Sequence, residues 1–108
     1  MATTRLETES ISDWQSFHSA CRDVFGFPDF YGKNMDAWID CMSYLDEDAG
    51  MTRFNLAPGE GLHIEVTATE SFNRRLPEIF DALVECSAFV NRRYVEDGKA
   101  PVLSLVFL

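Results

Sequence analysis

The spacing of apolar residues divides the first part of the chain into two predicted helices. Apolar positions three and four apart lie on one helix face, and they predict a first helix over residues 10–25. Ser12 and Gln15 are typical of a capping box at its start, and Gly26 of its end. Asn34 is a plausible N-cap for a second helix, which reaches about Leu45. The stripe of the first helix consists of Trp14, Phe17, Cys21 and Val24.

Three segments predict strands. Residues 62–67 read LHIEVT, and their alternation places Leu62, Ile64 and Val66 on one face. Residues 3–8 alternate more weakly and predict a short edge strand. The segment PVLSLVFL, residues 101–108, is almost entirely apolar, which is typical of a strand covered on both faces.

The predicted strands are separated by helices and by one loop. Residues 46–59 are acidic and turn-rich, and we expect a surface loop there. Thr69 or Ser71 opens a short helical turn. Pro77 suits the first turn of a longer helix, which runs to about Val95 before Gly98. Its apolar stripe consists of Leu76, Phe80, Leu83, Ser87, Val90 and Tyr94.

The order of these elements predicts the fold class. Helical crossovers between successive strands favour a parallel sheet with helices packed against it. We therefore expect an α/β fold, with a small three-stranded parallel sheet and about four helices. A chain of 108 residues suits a single domain, residues 1–108.

Charge narrows the choice of partners. The chain has 18 acidic residues against 9 Lys and Arg, a formal net charge of −9. Such a protein repels nucleic acid and anionic membranes, so its charged partners are cations or basic proteins. An acidic surface that only aids solubility is an open alternative. The 3 cysteines have no disulfide-like spacing, so we expect reduced thiols in a cytoplasmic protein with no signal peptide or transmembrane segment.

Motifs for catalysis or metal binding are missing from the sequence. His18 and Cys21 are three positions apart, but two ligands do not make a zinc site. We expect a packed cysteine and a half-exposed histidine there. No phosphate-binding loop or nucleophile motif occurs. We therefore expect no enzymatic activity, no cofactor and no metal, with an acid–base pair of Asp36 and Asp40 as the remaining catalytic alternative.

The predicted second helix carries that acid pair, four positions apart. Two apolar stripes are possible on this helix: they share Trp38, Met42 and Leu45 and differ in whether Ile39 or Cys41 points inward. If Cys41 is inside, the exposed face carries two carboxylates beside an apolar residue. Repulsion between the carboxylates costs a few tenths of a kcal/mol, so such a face is either simply solvated or a protein-binding surface.

Residues 27–45, FPDFYGKNMDAWIDCMSYL, resemble the central segment of the barstar family, whose members inhibit ribonucleases inside the cell. The resemblance is dense in the pattern Pro, acid, aromatic, Tyr, Gly, any residue, Asn, any residue, Asp, Ala, two of any residue, Asp, Cys. Elsewhere it is mainly one of element order. It implies three parallel strands covered by helices.

The resemblance also implies a mechanism, in which the second helix and the preceding loop plug the active site of a basic ribonuclease or nuclease toxin. Acidic side chains then take the places of RNA phosphates, with Asp40 as the main plug and Asp36 beside it. The family's buried cysteine places Cys41 inside and Ile39 outside. We expect a monomer when free. The other residues at contact positions of the family are Phe30, Asn34, Met35, Ile39 and Ser43.

The segment also departs from the family pattern. Phe30 stands where a tyrosine is expected, and Ile39 and Leu45 stand where tryptophans are expected. Arg93 falls near a position where the family has an acid, with Glu96 and Asp97 as candidate replacements. These changes make a different ribonuclease or a nuclease toxin as plausible a target as barnase. They also leave open a different class of function, a module that binds a basic protein that is not a nuclease.

Overall fold

A computed structural model describes residues 2–108. Its strands are β1 (Ala2–Leu6), β2 (Leu62–Val66) and β3 (Leu103–Phe107), and they form one parallel sheet in the order β1-β2-β3. The register pairs Leu6 with Val66 and Val66 with Phe107. The predicted α/β fold with three parallel strands is confirmed, and the strand predicted near the N-terminus does lie at an edge.

Helices supply the crossovers that a parallel sheet requires. A short 3-10 turn at Thr8–Ser10 follows β1. It leads into α1 (Trp14–Phe25) and α2 (Met35–Met42), which lie between β1 and β2. The second crossover consists of α3 (Thr69–Arg75) and α4 (Pro77–Glu96). The buried apolar side chains form one cluster between the sheet and the helices.

β3 is an edge strand, so the expectation that it is covered on both faces is wrong. Only its first residue, Leu103, is buried, and Phe107 is 50% exposed. The central position belongs to β2, where Leu62, Ile64 and Val66 are fully buried. An apolar run therefore indicates a strand here, but the position of that strand in the sheet depends on topology.

The start of α1 differs from the sequence prediction. Asp13, not Ser12, is the N-cap, and its carboxylate accepts a hydrogen bond from the Ser16 N–H at 2.8 Å. The Ser16 hydroxyl in turn accepts from the Asp13 N–H at 3.1 Å. Gly26 ends α1 in the left-handed region with φ 70°, and a Cβ at this position would lie 2.7 Å from Cβ of Arg53.

The buried face of α1 is also rotated relative to the predicted stripe. Phe17 and Cys21 are buried as expected, and Phe25 is buried instead of Val24. Trp14 is an exposed aromatic residue. His18, expected to be half-exposed, is 3% exposed and belongs to this face. The histidine can be buried because a tyrosine hydroxyl satisfies its ring nitrogen, as described below.

The end of α2 and the buried face of α4 also differ from the sequence prediction. α2 ends at Met42, and Leu45 is fully buried in the turn that follows. In α4, Ile79 occupies the buried position, whereas Leu76 and Phe80 are only partly buried. The predicted surface loop 46–59 is tied down in places. Arg53 Nε donates to the Val24 carbonyl at 2.8 Å.

Candidate partner-binding surface on the second helix

α2 begins with a cap that the sequence predicts correctly. The Asn34 side-chain oxygen accepts a hydrogen bond from the Ala37 N–H at 2.8 Å, and its amide nitrogen donates to the Gly32 carbonyl at 3.3 Å. Asp36 lies in the first turn, where the positive end of the helix dipole stabilises a carboxylate. The cap therefore fixes both the start of α2 and the position of its first acid.

The inward face of α2 selects between the two predicted stripes. Trp38, Cys41 and Met42 are buried, and the Trp38 ring packs edge-on against Phe25 with centroids 6.3 Å apart. Ile39 is only partly buried. The stripe with Cys41 inside is thus correct. Burial raises the pKa of the Cys41 thiol to about 11, so this cysteine is protonated and unreactive at neutral pH.

The outward face of α2 carries both acids. Asp36 is exposed, and the side chain of Asp40 is 66% exposed. Met35, Ile39 and Ser43 are partly buried between and beside them. We call these residues, with Phe30 in the preceding loop, the α2 surface. It combines two solvated carboxylates with partly covered apolar side chains on a rigid element.

The loop before α2 presents Phe30 to solvent. Phe30 is 77% exposed, whereas its neighbour Tyr31 is buried. The Tyr31 ring packs against Phe27 with centroids 4.7 Å apart, and its hydroxyl shares a hydrogen bond of 2.6 Å with Nδ1 of His18. Burial, and to a lesser degree the charge of Lys33, lowers the pKa of His18. A neutral histidine thus anchors the loop from below.

Arg93 of α4 reaches the other end of the α2 surface. Its Nη1 lies 3.6 Å from Oδ1 of Asp40 and 3.3 Å from the Ser43 hydroxyl. The guanidinium also lies over the Phe89 ring, 5.0 Å from its centroid. Both charged side chains are substantially exposed, so the ion pair contributes about 0–1 kcal/mol. Arg93 therefore matters at this end of the surface more as a charge that a partner meets than as a support for the fold.

The end of α2 is held by the Tyr94 hydroxyl, also from α4. This hydroxyl accepts a hydrogen bond from the Leu45 N–H at 3.1 Å and lies 3.5 Å from the Met42 carbonyl and from Oδ1 of Asp46. Burial first, and then the charge of Asp46, raises the pKa of Tyr94 to about 12. Because Leu45 is fully buried, it is unavailable to a partner, although it stands where the family resemblance leads us to expect a tryptophan.

A shallow depression of about 260 Å³ adjoins this end of the surface. Its lining includes both acidic and basic side chains, whereas the charged side chains of α2 are all acidic. The lining consists of Ser43, Tyr44, Glu47, Arg93, Tyr94, Asp97 and Lys99.

The described residues, 2–108, contain no group of three or more potential metal ligands. No helix in the same range is long and apolar enough to cross a membrane.

Sequence reasoning found the acids, the cap and the buried cysteine but missed three contacts. These are the pairing of Arg93 with Asp40, the Tyr94 hydrogen bonds and the bond between His18 and Tyr31. Only the loose placement of Arg93 near an acidic position of the family gave any signal. The other two contacts, those of Tyr94 and the bond between His18 and Tyr31, are made by residues on apolar faces. No periodic pattern in the sequence indicates that their polar atoms pair.

Comparison with known proteins supplies the family. A search among curated proteins finds no significant match. The family model described as Barstar (barnase inhibitor) matches residues 1–106, which is nearly the whole length of the chain. The three parallel strands and the helical crossovers agree with this match. The chain therefore belongs to the barstar family.

Proposed function

We propose that the protein is a cytoplasmic inhibitor of a ribonuclease, acting as an immunity protein against a barnase-like enzyme or a nuclease toxin. Members of its family are ribonuclease inhibitors. The observation that carries the proposal is the orientation of α2. Asp36 and Asp40 face solvent while Trp38, Cys41 and Met42 are buried.

The mechanism follows from the charge of a ribonuclease cleft. Such a cleft holds cationic side chains where RNA phosphates bind. In the proposed complex, Asp40 occupies one phosphate position and Asp36 a second. Phe30, Met35 and Ile39 supply the apolar contacts around them, while Asn34 and Ser43 contribute polar groups at the ends of the helix. The net charge of −9 adds long-range attraction to a basic enzyme.

The rigidity of the surface supports this mechanism. Asn34 caps the start of α2, the Tyr94 hydroxyl holds the turn that follows it, and Tyr31 anchors the loop beneath Phe30. A preorganised surface loses little conformational entropy on binding, which favours affinity. An acid–base role for Asp36 and Asp40 is less favoured, because catalysis by such a pair needs a pocket that holds the substrate and both side chains are exposed on the outward face of α2.

The second candidate is a module that binds a basic protein other than a nuclease. Arg93 favours it, because the cation at Asp40 makes this end of the surface less acidic than a phosphate mimic requires. The two candidates share the α2 surface and differ in the activity of the partner.

Inhibition assays separate the candidates. The wild type is titrated against RNA cleavage by barnase and by ribonucleases fractionated from the source organism. A double variant, Asp36→Asn with Asp40→Asn, is compared with a control of equal charge change, Asp23→Asn with Asp81→Asn, at exposed positions of α1 and α4.

We expect the wild type and the control to inhibit at least one ribonuclease, and the α2 variant to lose inhibition. Equal inhibition by both variants would contradict the phosphate-mimic mechanism. If the wild type inhibits no ribonuclease but binds a basic protein that has no nuclease activity, the second candidate is correct.

A further inference from the structure

Arg93 is the cation closest to the acid on which the proposed mechanism depends most. It lies on α4, which packs against α2, and its Nη1 contacts both Asp40 and Ser43. A ribonuclease that covers Asp40 therefore also meets Arg93. A side chain at this position either contributes to the interface or opposes it.

A ribonuclease cleft with only basic side chains would repel Arg93. The cation of the enzyme that engages Asp40 must approach within a few ångströms of the carboxylate, and Arg93 Nη1 already lies 3.6 Å from it. Two cations would then share one carboxylate in a site from which water is displaced. Like charges brought together at an interface are strongly unfavourable and exclude wrong partners.

The guanidinium has the chemistry to bind a second carboxylate. It carries five N–H donors in a planar fork, and both of its polar contacts with α2 are made through Nη1. The remaining donors suit bidentate pairing with a carboxylate of a partner. Stacking over Phe89 at 5.0 Å supports the guanidinium from one side, which limits the freedom that it would lose on binding.

The charged residues around Arg93 are of both signs, which agrees with an interface of mixed charge at the C-terminal end of the α2 surface. Glu47, Asp97 and Lys99 line the same depression as Arg93, and Lys99 is itself paired with Asp46 at 2.9 Å. The acids of α2 thus adjoin a region with both signs of charge. A complementary partner would have cations opposite α2 and at least one acid opposite the end of α4.

On the basis of the proposed function, we propose that Arg93 is a specificity determinant of the α2 surface. It selects a ribonuclease whose basic cleft carries an acidic side chain beside the cation that engages Asp40. Arg93 then bridges Asp40 and that acidic side chain. Ribonucleases with only basic residues at that place are excluded.

Barnase is the probe for this proposal, because it is a defined target of the family. Inhibition of barnase is measured for the wild type, Arg93→Glu and Arg93→Lys. Arg92→Glu is the matched control, since Arg92 is the exposed neighbour on α4 and the substitution changes the net charge equally. Circular dichroism of each variant checks that the fold is retained.

We expect Arg93→Glu to strengthen inhibition of barnase about tenfold or more, and Arg92→Glu to change it less than about threefold through long-range attraction alone. Arg93→Lys, which keeps the charge, should bring no gain. Equal inhibition by Arg93→Glu and Arg92→Glu, or no gain in either, would overturn the proposal.

This outcome is separable from that of the proposed function. If the wild type inhibits a ribonuclease of the source organism but Arg93→Glu brings no gain against barnase, only the role of Arg93 is wrong. If Arg93→Glu gains against barnase but no ribonuclease of the organism is inhibited, only the assigned function is wrong.

A measurement on the free protein tests the pairing itself. The NMR chemical shift of the Arg93 Nε–H group should change in Asp40→Asn and stay the same in Asp36→Asn. Of these two acids, only Asp40 contacts the guanidinium. No change in Asp40→Asn would contradict the pairing on which the proposal rests.

Discussion

The two ends of the α2 surface are built in different ways. At the N-terminal end, the cap and the acid come from adjacent positions, Asn34 and Asp36, and the loop before them presents Phe30. At the C-terminal end, Asp40 and the turn after α2 are held by Arg93 and Tyr94 of α4, about 50 positions further along the chain. One end depends on local sequence and the other on tertiary packing.

The difference has a functional consequence. Asp36 is stabilised by the helix terminus, which is present whatever binds. Asp40 is paired with an exposed cation, Arg93, that a partner meets when it covers this carboxylate. The N-terminal end therefore presents a negative charge that does not depend on the partner. At the C-terminal end, the charge of Arg93 beside Asp40 determines which partners are complementary.

The largest expected effect compares the two acids directly. Asp40→Ala should weaken binding of the inhibited ribonuclease by about 2–5 kcal/mol, the range for truncating one member of a buried charge pair, for which the barnase–barstar complex is itself a known instance. Asp36→Ala should cost less, because the helix terminus partly satisfies that carboxylate. Inhibition constants of both variants measure the difference. Equal losses would remove the distinction between the two ends.

The next effect concerns the long-range support of the C-terminal end. Tyr94→Phe leaves the buried Leu45 N–H without its acceptor, and an unsatisfied buried donor costs about 1–3 kcal/mol. Urea unfolding should show this loss in the free energy of unfolding. Tyr44→Phe, at an exposed tyrosine beside the same turn, should change it by less than about 0.5 kcal/mol. Similar losses in both variants would mean that Tyr94 does not hold the turn.

The buried His18, which anchors the loop before α2, should make the free energy of unfolding depend on pH. Because the ring is buried, the pKa of His18 in the folded state lies below its ordinary value of about 6.5. The unfolded chain therefore binds more protons, and stability falls as pH drops below about 6.5. The slope is at most about 1.4 kcal/mol per pH unit. Unfolding free energies between pH 7 and 5 measure it. His18→Gln should reduce the slope, whereas an unchanged slope in His18→Gln would contradict a neutral anchor.

The smallest effect tests the local cap. Asn34→Ala should destabilise the protein by about 1 kcal/mol, and Asn34→Gly by only a few tenths, because glycine is a tolerated N-cap. Thermal unfolding of both variants measures the difference. If alanine and glycine are equally tolerated, the hydrogen bond from Ala37 to Asn34 does not determine where α2 begins.

The same contrast explains how much could be predicted from sequence. Strand alternation in LHIEVT and the Asn34 cap are local patterns, and both are present in the structure. Periodicity left Ile39 and Cys41 as alternatives for the buried face of α2, and the family resemblance selected Cys41. The burial of His18 could not be predicted, because it depends on a tyrosine 13 positions away. The edge position of β3 was missed because an apolar run reports burial propensity and not strand order.

The C-terminal end of the surface was the least predictable part. Arg93 could be placed near the site only through a loose alignment to the family, and no periodic pattern links it to Asp40. The capping error at α1 has a smaller cause. Ser12 and Asp13 are both acceptable caps, and the reciprocal bonds with Ser16 favour Asp13.

The most direct test of the central claim maps the interface with the ribonuclease that the wild type inhibits. The unlabelled enzyme is titrated into ¹⁵N-labelled protein, and amide shifts are recorded for residues 2–108. The α2 surface and the end of α4 should shift most, over residues 30–43 and 89–93, with little change along β3. Shifts concentrated at the exposed β3 edge around Phe107, with α2 unaffected, would contradict the claim that α2 blocks the enzyme.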